Sequence, residues 1–493
     1  MNQDRRDFLR DAARAGAVAL AGSALVRAAP ALAAPTREPA PMSIAPMTIA
    51  DCSRQLAAGT LTSRQLVERA LAAIDDPQGE GARAFLEVHR QAALAAADRV
   101  DARRRAGERL HALAGVPLSL KDLFDEAGAV TRGASTVLSR APAAARDSAV
   151  VERLRQAGAV IVGRTNLTEF AYSGLGINPH YGTPRNAFDR AAGRVPGGSS
   201  SGAAVSVADG MAAGAIGTDT GGSVRIPAAL NGLVGFKPTA HRVPLDGMLP
   251  LSYTLDSAGP IARTVADCVT LDRVLSGDAG APAPARVRGL RLAVPTTVFH
   301  DELAPDVARA FAAALARLSA AGAVVVEVPM REIADAAAVS PRGALASAEA
   351  FAIHRRWLAD GAAQYDPRVL SRIRPGEALS AADYIDLLRL RRRFVRTIAD
   401  ASRGYDALLM PTTPDSAPTI AEAGRDDATY FRYNTRMLRN TAIVNLFDGC
   451  ALSLPCHEPG AAPVGLMVAG PQDADDRVLA VGLAIEDVVR GRP

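Results

Sequence analysis

Along this chain, short apolar runs alternate with longer stretches in which apolar residues recur every three or four positions. Thr62-Ser63-Arg64-Gln65 is a capping-box pattern, and Leu66, Ala70, Leu71 and Ile74 continue one helical face, so a helix is predicted to start there. A second helix is predicted over 82–106. Apolar runs at 116–120, 159–162, 214–217, 291–294, 323–328, 407–410 and 464–468 are predicted strands. Their alternation with helical stretches predicts an α/β fold, a large mainly parallel or mixed central sheet covered on both faces by helices. Gly277–Pro284 is the best internal linker candidate, and residues 333–400 read as helical and Arg-rich, a candidate lid over the sheet.

The N-terminus departs from this pattern. Asp4–Arg10, DRRDFLR, precedes an apolar stretch, Ala15–Val26, and then Ala31-Leu32-Ala33. A charged start, a short apolar run and a small-x-small site are the parts of a secretory signal. Arg5-Arg6 followed by Phe8-Leu9 resembles a twin-arginine signal, which exports folded proteins. Residues 1–33 are expected to be cleaved near Ala33, residues 34–46 to form a Pro-rich linker, and the product to be periplasmic or secreted. The apolar run is too short to cross about 30 Å of hydrocarbon, so no membrane span is expected.

Hydrophobic residues make up 48% and charged residues 22% of the 493, which excludes disorder and allows a large core. The net charge of +4 comes without a basic stripe, so no nucleic-acid partner is expected. Only Lys121 and Lys237 are lysines among 56 basic residues. Arginine keeps its proton at any cellular pH, whereas a buried lysine becomes a neutral amine that acts as a base. Lys121 and Lys237 are therefore where chemistry or packing requires lysine. Cys52, Cys268, Cys450 and Cys456 are expected to be free: a strand between the last two would hold them about 20 Å apart, beyond disulfide reach.

Three segments carry candidate chemistry: Gly115–Phe124 (GVPLSLKDLF), Val195–Gly202 (VPGGSSSG) and Gly217–Pro227 (GTDTGGSVRIP). They bring one lysine and two Gly-rich, Ser-bearing loops to an apolar sheet edge. Neither loop has the endings of a nucleotide site, and no cofactor or metal is expected. Gly198–Gly202 also fits the G-x-S-x-G elbow of α/β-hydrolases, which would make Ser200 an esterase nucleophile; the residues before it do not read as a strand. A periplasmic solute-binding protein is the other alternative, in which a Gly-rich loop holds a carboxylate.

The conjunction of the three segments resembles the amidase signature family. The resemblance runs nearly unbroken from Gly197 to Thr239, ending in GLVGFKPT, and extends to GRTNLTEFAYSG at 163–174, YDALLMPTTP at 405–414 and APVGLMVAGP at 462–471. It covers residues 47–493, with a catalytic core at about 110–275 and a helical substrate lid at about 333–440. It implies an α/β/α sandwich and amide hydrolysis by a Lys–Ser–Ser triad: Ser223 as nucleophile, Ser199 on a cis peptide as bridging serine, Lys121 as base. It also implies an oxyanion hole from the N–H groups of Thr220, Gly221, Gly222 and Ser223, supporting roles for Ser200, Asp219 and Arg225, and a structural role for Lys237.

The physical logic agrees. A hydroxyl needs a base to become a nucleophile, and with no histidine in these loops a neutral lysine is the one available. Its pKa must then fall from ~10.4 to about 7–8 by burial. An export signal argues against the glutaminase subunit of tRNA-dependent amidotransferases, and fatty-acid amide hydrolases carry a spanning helix. A soluble hydrolase of small amides remains, of mandelamide, arylacetamide or peptide-amide type, with a homodimer left open. Tyr172 and Tyr430-Phe431 are candidate pocket aromatics.

Overall fold

The protein is described here by a computed structural model covering residues 46–492. The expected signal and nearly all of the linker lie outside the described residues. Eleven strands form one mixed sheet: β1 Phe85–Val88, β2 Pro117–Lys121, β3 Val160–Thr165, β4 Gly214–Thr218, β5 Val234–Lys237, β6 Ala258–Ala262, β7 Arg291–Pro295, β8 Val324–Val328, β9 Ala407–Pro411, β10 Cys450–Pro455 and β11 Gly465–Gly470. Their order is β1-β3-β2-β4-β6-β5-β10-β11-β9-β7-β8. β2 runs parallel to β3 and β4, and β7 parallel to β8 and β9, while β6, β5, β10 and β11 join these wings through antiparallel pairs.

Successive side chains of a strand face opposite ways, and here each face meets its own core. Leu466 and Val468 of β11 pack into one apolar cluster with Leu292, Leu409 and Leu452. Met467 and Ala469 pack into another with Leu408, Met410 and Ala451. A sheet buried on both faces gives continuous apolar runs instead of alternation, which is why those runs are legible as strands. The capping box at Thr62 and Gln65 is present, opening the helix Ser63–Asp75.

The predicted helix over 82–106 is corrected. The chain makes one turn at Gly81–Ala84, extends as β1, and becomes helical again over Arg90–Arg105. Pairing of β1 with β3, Phe85 opposite Thr165, overrides an Ala-rich local preference. Residues 331–401 fold into the expected run of helices, the longest being Ala344–Gly361 and Ala381–Ala401. All four cysteines are free and buried.

Candidate active site

Parallel neighbours bring their C-terminal ends to one edge of a sheet, and here those ends carry polar residues. Lys121 closes β2 and Thr218 closes β4, two adjacent parallel strands. The Lys121 Nζ donates to Thr218 Oγ1 at 2.7 Å and to Ser199 Oγ at 2.8 Å, and the lysine is fully buried. Burial pulls its pKa from the ordinary 10.5 down to about 7, while the charges of Asp256 and Asp219 push it back up.

Ser199 arrives on a segment that only small residues can build. The Gly198–Ser199 peptide is cis. Gly197 has φ +75°, and a Cβ on Gly198 would lie 2.5 Å from Gly176 N. The Ser199 carbonyl accepts from the N–H of Thr168 and Ser201, and the helix Ser201–Ala208 then begins. Ser200 is fully buried with its Oγ 3.4 Å from the Thr218 carbonyl, and its N–H donates to the Ser223 carbonyl at 3.2 Å. It braces both serine loops from behind.

The loop after β4 is shaped by Asp219. Its carboxylate accepts from the N–H of Gly222 at 2.8 Å and of Val224 at 3.1 Å, and from Arg225 Nε at 3.0 Å and Nη2 at 2.9 Å. Asn445 Nδ2 adds a further bond at 2.9 Å. Burial would raise the Asp219 pKa, but the charge and hydrogen bonds of Arg225, with Lys237 and Asn445, hold it well below the carboxylate range. Gly222 has φ +133°, and a Cβ there would fall 2.1 Å from Thr441 Oγ1. The Gly222 N–H, expected among the oxyanion donors, is thus turned to Asp219. Among the described residues no acceptor takes the N–H of Thr220, Gly221 or Ser223, and all three residues line the pocket. Thr220 and Ser223 are buried and Gly221 is half-buried, and backbone donors without partners are rare in such places, so three together are available to an incoming oxygen.

That pocket is a cavity of about 180 Å³. Its walls are mostly apolar, with Leu251, Leu255 and Leu438, and the helical segment adds Gly343, Ala346 and Arg372. Ser223 is 3% exposed, and among the described residues its Oγ has no hydrogen-bond partner. The structure therefore joins Lys121 to Ser199 and places Ser223 beside the free amides at the pocket wall. Tyr172 lines the pocket, with Arg372 4.2 Å over its ring, whereas Tyr430 and Phe431 pack in a core cluster. Lys237 is buried with its Nζ on the carbonyls of Pro238 and Gly449 at 2.7 and 2.8 Å. Sequence reasoning missed Thr218, Asp256, Asn445 and Arg372; Thr218 sits inside the GTDTGGS motif, and the others carry no local signal.

The Arg225–Asp219 pair is fully buried. Asp219→Ala is expected to cost about 3–5 kcal/mol of unfolding free energy, because it strands a buried guanidinium. Urea unfolding checks this, and a loss below about 1 kcal/mol would refute it.

The amidase family model matches residues 65–479. The 2-amino-5-chloromuconic acid deaminase of Comamonas testosteroni is 42% identical over 407 residues, covering 80% of this chain and 86% of that protein. A glutamyl-tRNA(Gln) amidotransferase subunit of Acidothermus cellulolyticus is 38% identical, covering 89% of this chain and 93% of that one. Among solved structures, the native peptide amidase of Stenotrophomonas maltophilia superposes with a TM-score of 0.75 at 29% identity, covering 91% of this chain and 98% of that one. The chain belongs to the amidase family, and it is an amide-hydrolysing enzyme.

Proposed function

We propose that this member of the amidase family hydrolyses a small amide that also carries an anionic group, through an acyl-enzyme on Ser223. The observation that carries the reading is the fully buried Lys121 amine on Ser199 Oγ, beside a pocket wall that presents Ser223 and three free N–H groups. In the first half-reaction the Ser223 Oγ–carbon bond forms, and the Ser223 proton passes through Ser199 to Lys121. The carbonyl oxygen becomes an oxyanion on the N–H groups of Thr220, Gly221 and Ser223. The C–N bond then breaks, and the proton leaves with the amine. Water reverses the path in the second half and releases the carboxylate.

The anionic group follows from Arg372. It lines the cavity, and among the described residues no carboxylate lies within ion-pair distance of it; its contacts are the Tyr172 ring and carbonyl. A guanidinium in an apolar wall recognises a carboxylate by paired N–H donors. The Comamonas relative is named for an acid, 2-amino-5-chloromuconic acid, which supports an anionic substrate.

The test is ammonia release from primary amides with and without a second carboxylate, run beside mandelamide, arylacetamides, short aliphatic amides and amidated dipeptides. Arg372→Leu is expected to raise KM for the carboxylated amides by about 10-fold or more, the worth of a charge-assisted contact, and to leave neutral ones within about twofold. Equal effects on both sets would refute the anionic reading. The twin-arginine motif supports export, and cell fractionation that recovers all of the full-length protein from the native cytosol would overturn it.

A further inference from the structure

Two buried carboxylates stand behind the oxyanion loop, and both are met only by neutral donors. Asp256 accepts from Thr220 Oγ1 on one oxygen, and from the N–H of Leu251 at 2.9 Å and Ser252 at 3.0 Å on the other. Glu349 accepts from Ser252 Oγ and from the Thr254 N–H at 3.1 Å on one oxygen, and from Tyr384 OH at 2.6 Å on the other. Asp256 and Glu349 are 3% and 4% exposed, and Ser252 is fully buried.

Together these bonds make a continuous path. It starts at Thr220, whose N–H is free at the pocket wall, and passes through Asp256 and Ser252 to Glu349 on the helix Ala344–Gly361. It ends at Tyr384 on the helix Ala381–Ala401. The helical segment that carries Glu349 also supplies Gly343 and Ala346 to the cavity, and the bridged loop supplies Leu251 and Leu255. A buried charge without an ion-pair partner costs stability unless its hydrogen bonds are kept. The pair therefore tolerates little independent movement of the helices and the loop.

We propose that Asp256 and Glu349 are positioning residues, a carboxylate strut through which the seat of the pocket helices sets the orientation of the Thr220 N–H. It rests on Ser223 being the nucleophile. Substrate that fills the cavity presses on both ends of the strut, so acyl transfer and a fully seated helical wall occur together. The strut touches no reacting atom, and its loss acts on the rate more than on binding.

The experiment reads labelling of Ser223 by an alkyl fluorophosphonate, followed by intact mass. In that reaction Ser223 Oγ bonds to phosphorus as its proton passes through Ser199 to Lys121, the P–F bond breaks and fluoride leaves, and the phosphoryl oxygen takes the oxyanion position. Glu349→Gln and Thr220→Val are each expected to lower the limiting labelling rate about tenfold, a fraction of the loss from removing an oxyanion donor, with half-saturation within twofold. The double variant is expected to be no slower than either single one, since both cut the same path. An unchanged Glu349→Gln rate, a weakened half-saturation alone, or losses that multiply in the double variant would overturn the strut. If Glu349→Gln does not fold, Tyr384→Phe takes its place in the cycle with the same expectations. A wild type that is never labelled would overturn the nucleophile reading first, and the strut with it.

Discussion

Ser223→Ala is expected to lower amide turnover by about 10⁴-fold or more while leaving the fold intact, since removal of the proposed nucleophile closes the acyl-enzyme route. The two halves of this expectation have separate grounds. The Ser223 side chain faces the cavity, and its Oγ has no protein partner among the described residues, so alanine leaves no buried donor or acceptor stranded. Unfolding free energy should therefore stay within about 1 kcal/mol of wild type. The Ser223 carbonyl, which accepts from Ser200, and the free N–H groups of the loop all survive the change. Ser199→Ala should also be slow, but for another reason: it removes an acceptor of the buried Lys121 amine and so perturbs the base. Ammonia release beside thermal unfolding separates the two. A Ser223→Ala enzyme that keeps turnover within tenfold would move the nucleophile to another hydroxyl, and Ser199 would be next.

How much of this is written locally in the chain varies with the element. The seven predicted strands formed within about three residues of their bounds, because strands buried on both faces are plain apolar runs. Of the other four, β10 entered only as a conditional strand between Cys450 and Cys456, and β1, β5 and β6 escaped for definite reasons. Phe85–Val88 lies between Ala-rich helical stretches. Val234–Lys237 is four residues long and holds a glycine. Ala258–Ala262 carries Pro260 in the middle of a strand flanked on both sides, where proline argues against a strand. Lys121 was legible as a lysine at a strand's end, and the loops of Ser199 and Ser223 as runs of glycine and serine. What the chain hides is proximity. Asn445 reaches Asp219 across 226 positions, and Glu349 reaches Ser252 across 97. No periodicity marks such residues, because their partners come from other layers of the fold. Asp219's hold on the Gly222 N–H is the opposite case, a contact three residues long that depends on which way a loop turns.

On the proposed route the pH dependence of the enzyme follows from burial of Lys121, and its sign is fixed. With a pKa of about 7 and the neutral amine as base, kcat/KM should rise tenfold per pH unit below 7 and flatten above it. At pH 5 only about 1% of the lysine is neutral, so the rate there should be about 1% of the plateau. Lys121→Arg should lose about 10³-fold or more at every pH and show no limb near 7, because a guanidinium keeps its proton. The same burial has a thermodynamic face. The folded state lowers the lysine pKa from 10.5 to about 7, so between those values the unfolded chain holds more protons and stability rises with pH. From pH 7 to pH 9 wild type should gain about 2–3 kcal/mol relative to Lys121→Ala, two units at about 1.4 kcal/mol each. Urea unfolding at the two pH values measures that difference, and pH–rate profiles measure the limb. One group must account for both. A kinetic limb without the stability slope would assign the limb to another acid near the site, and Asp256, raised to about 6 chiefly by burial, is the group placed to supply it.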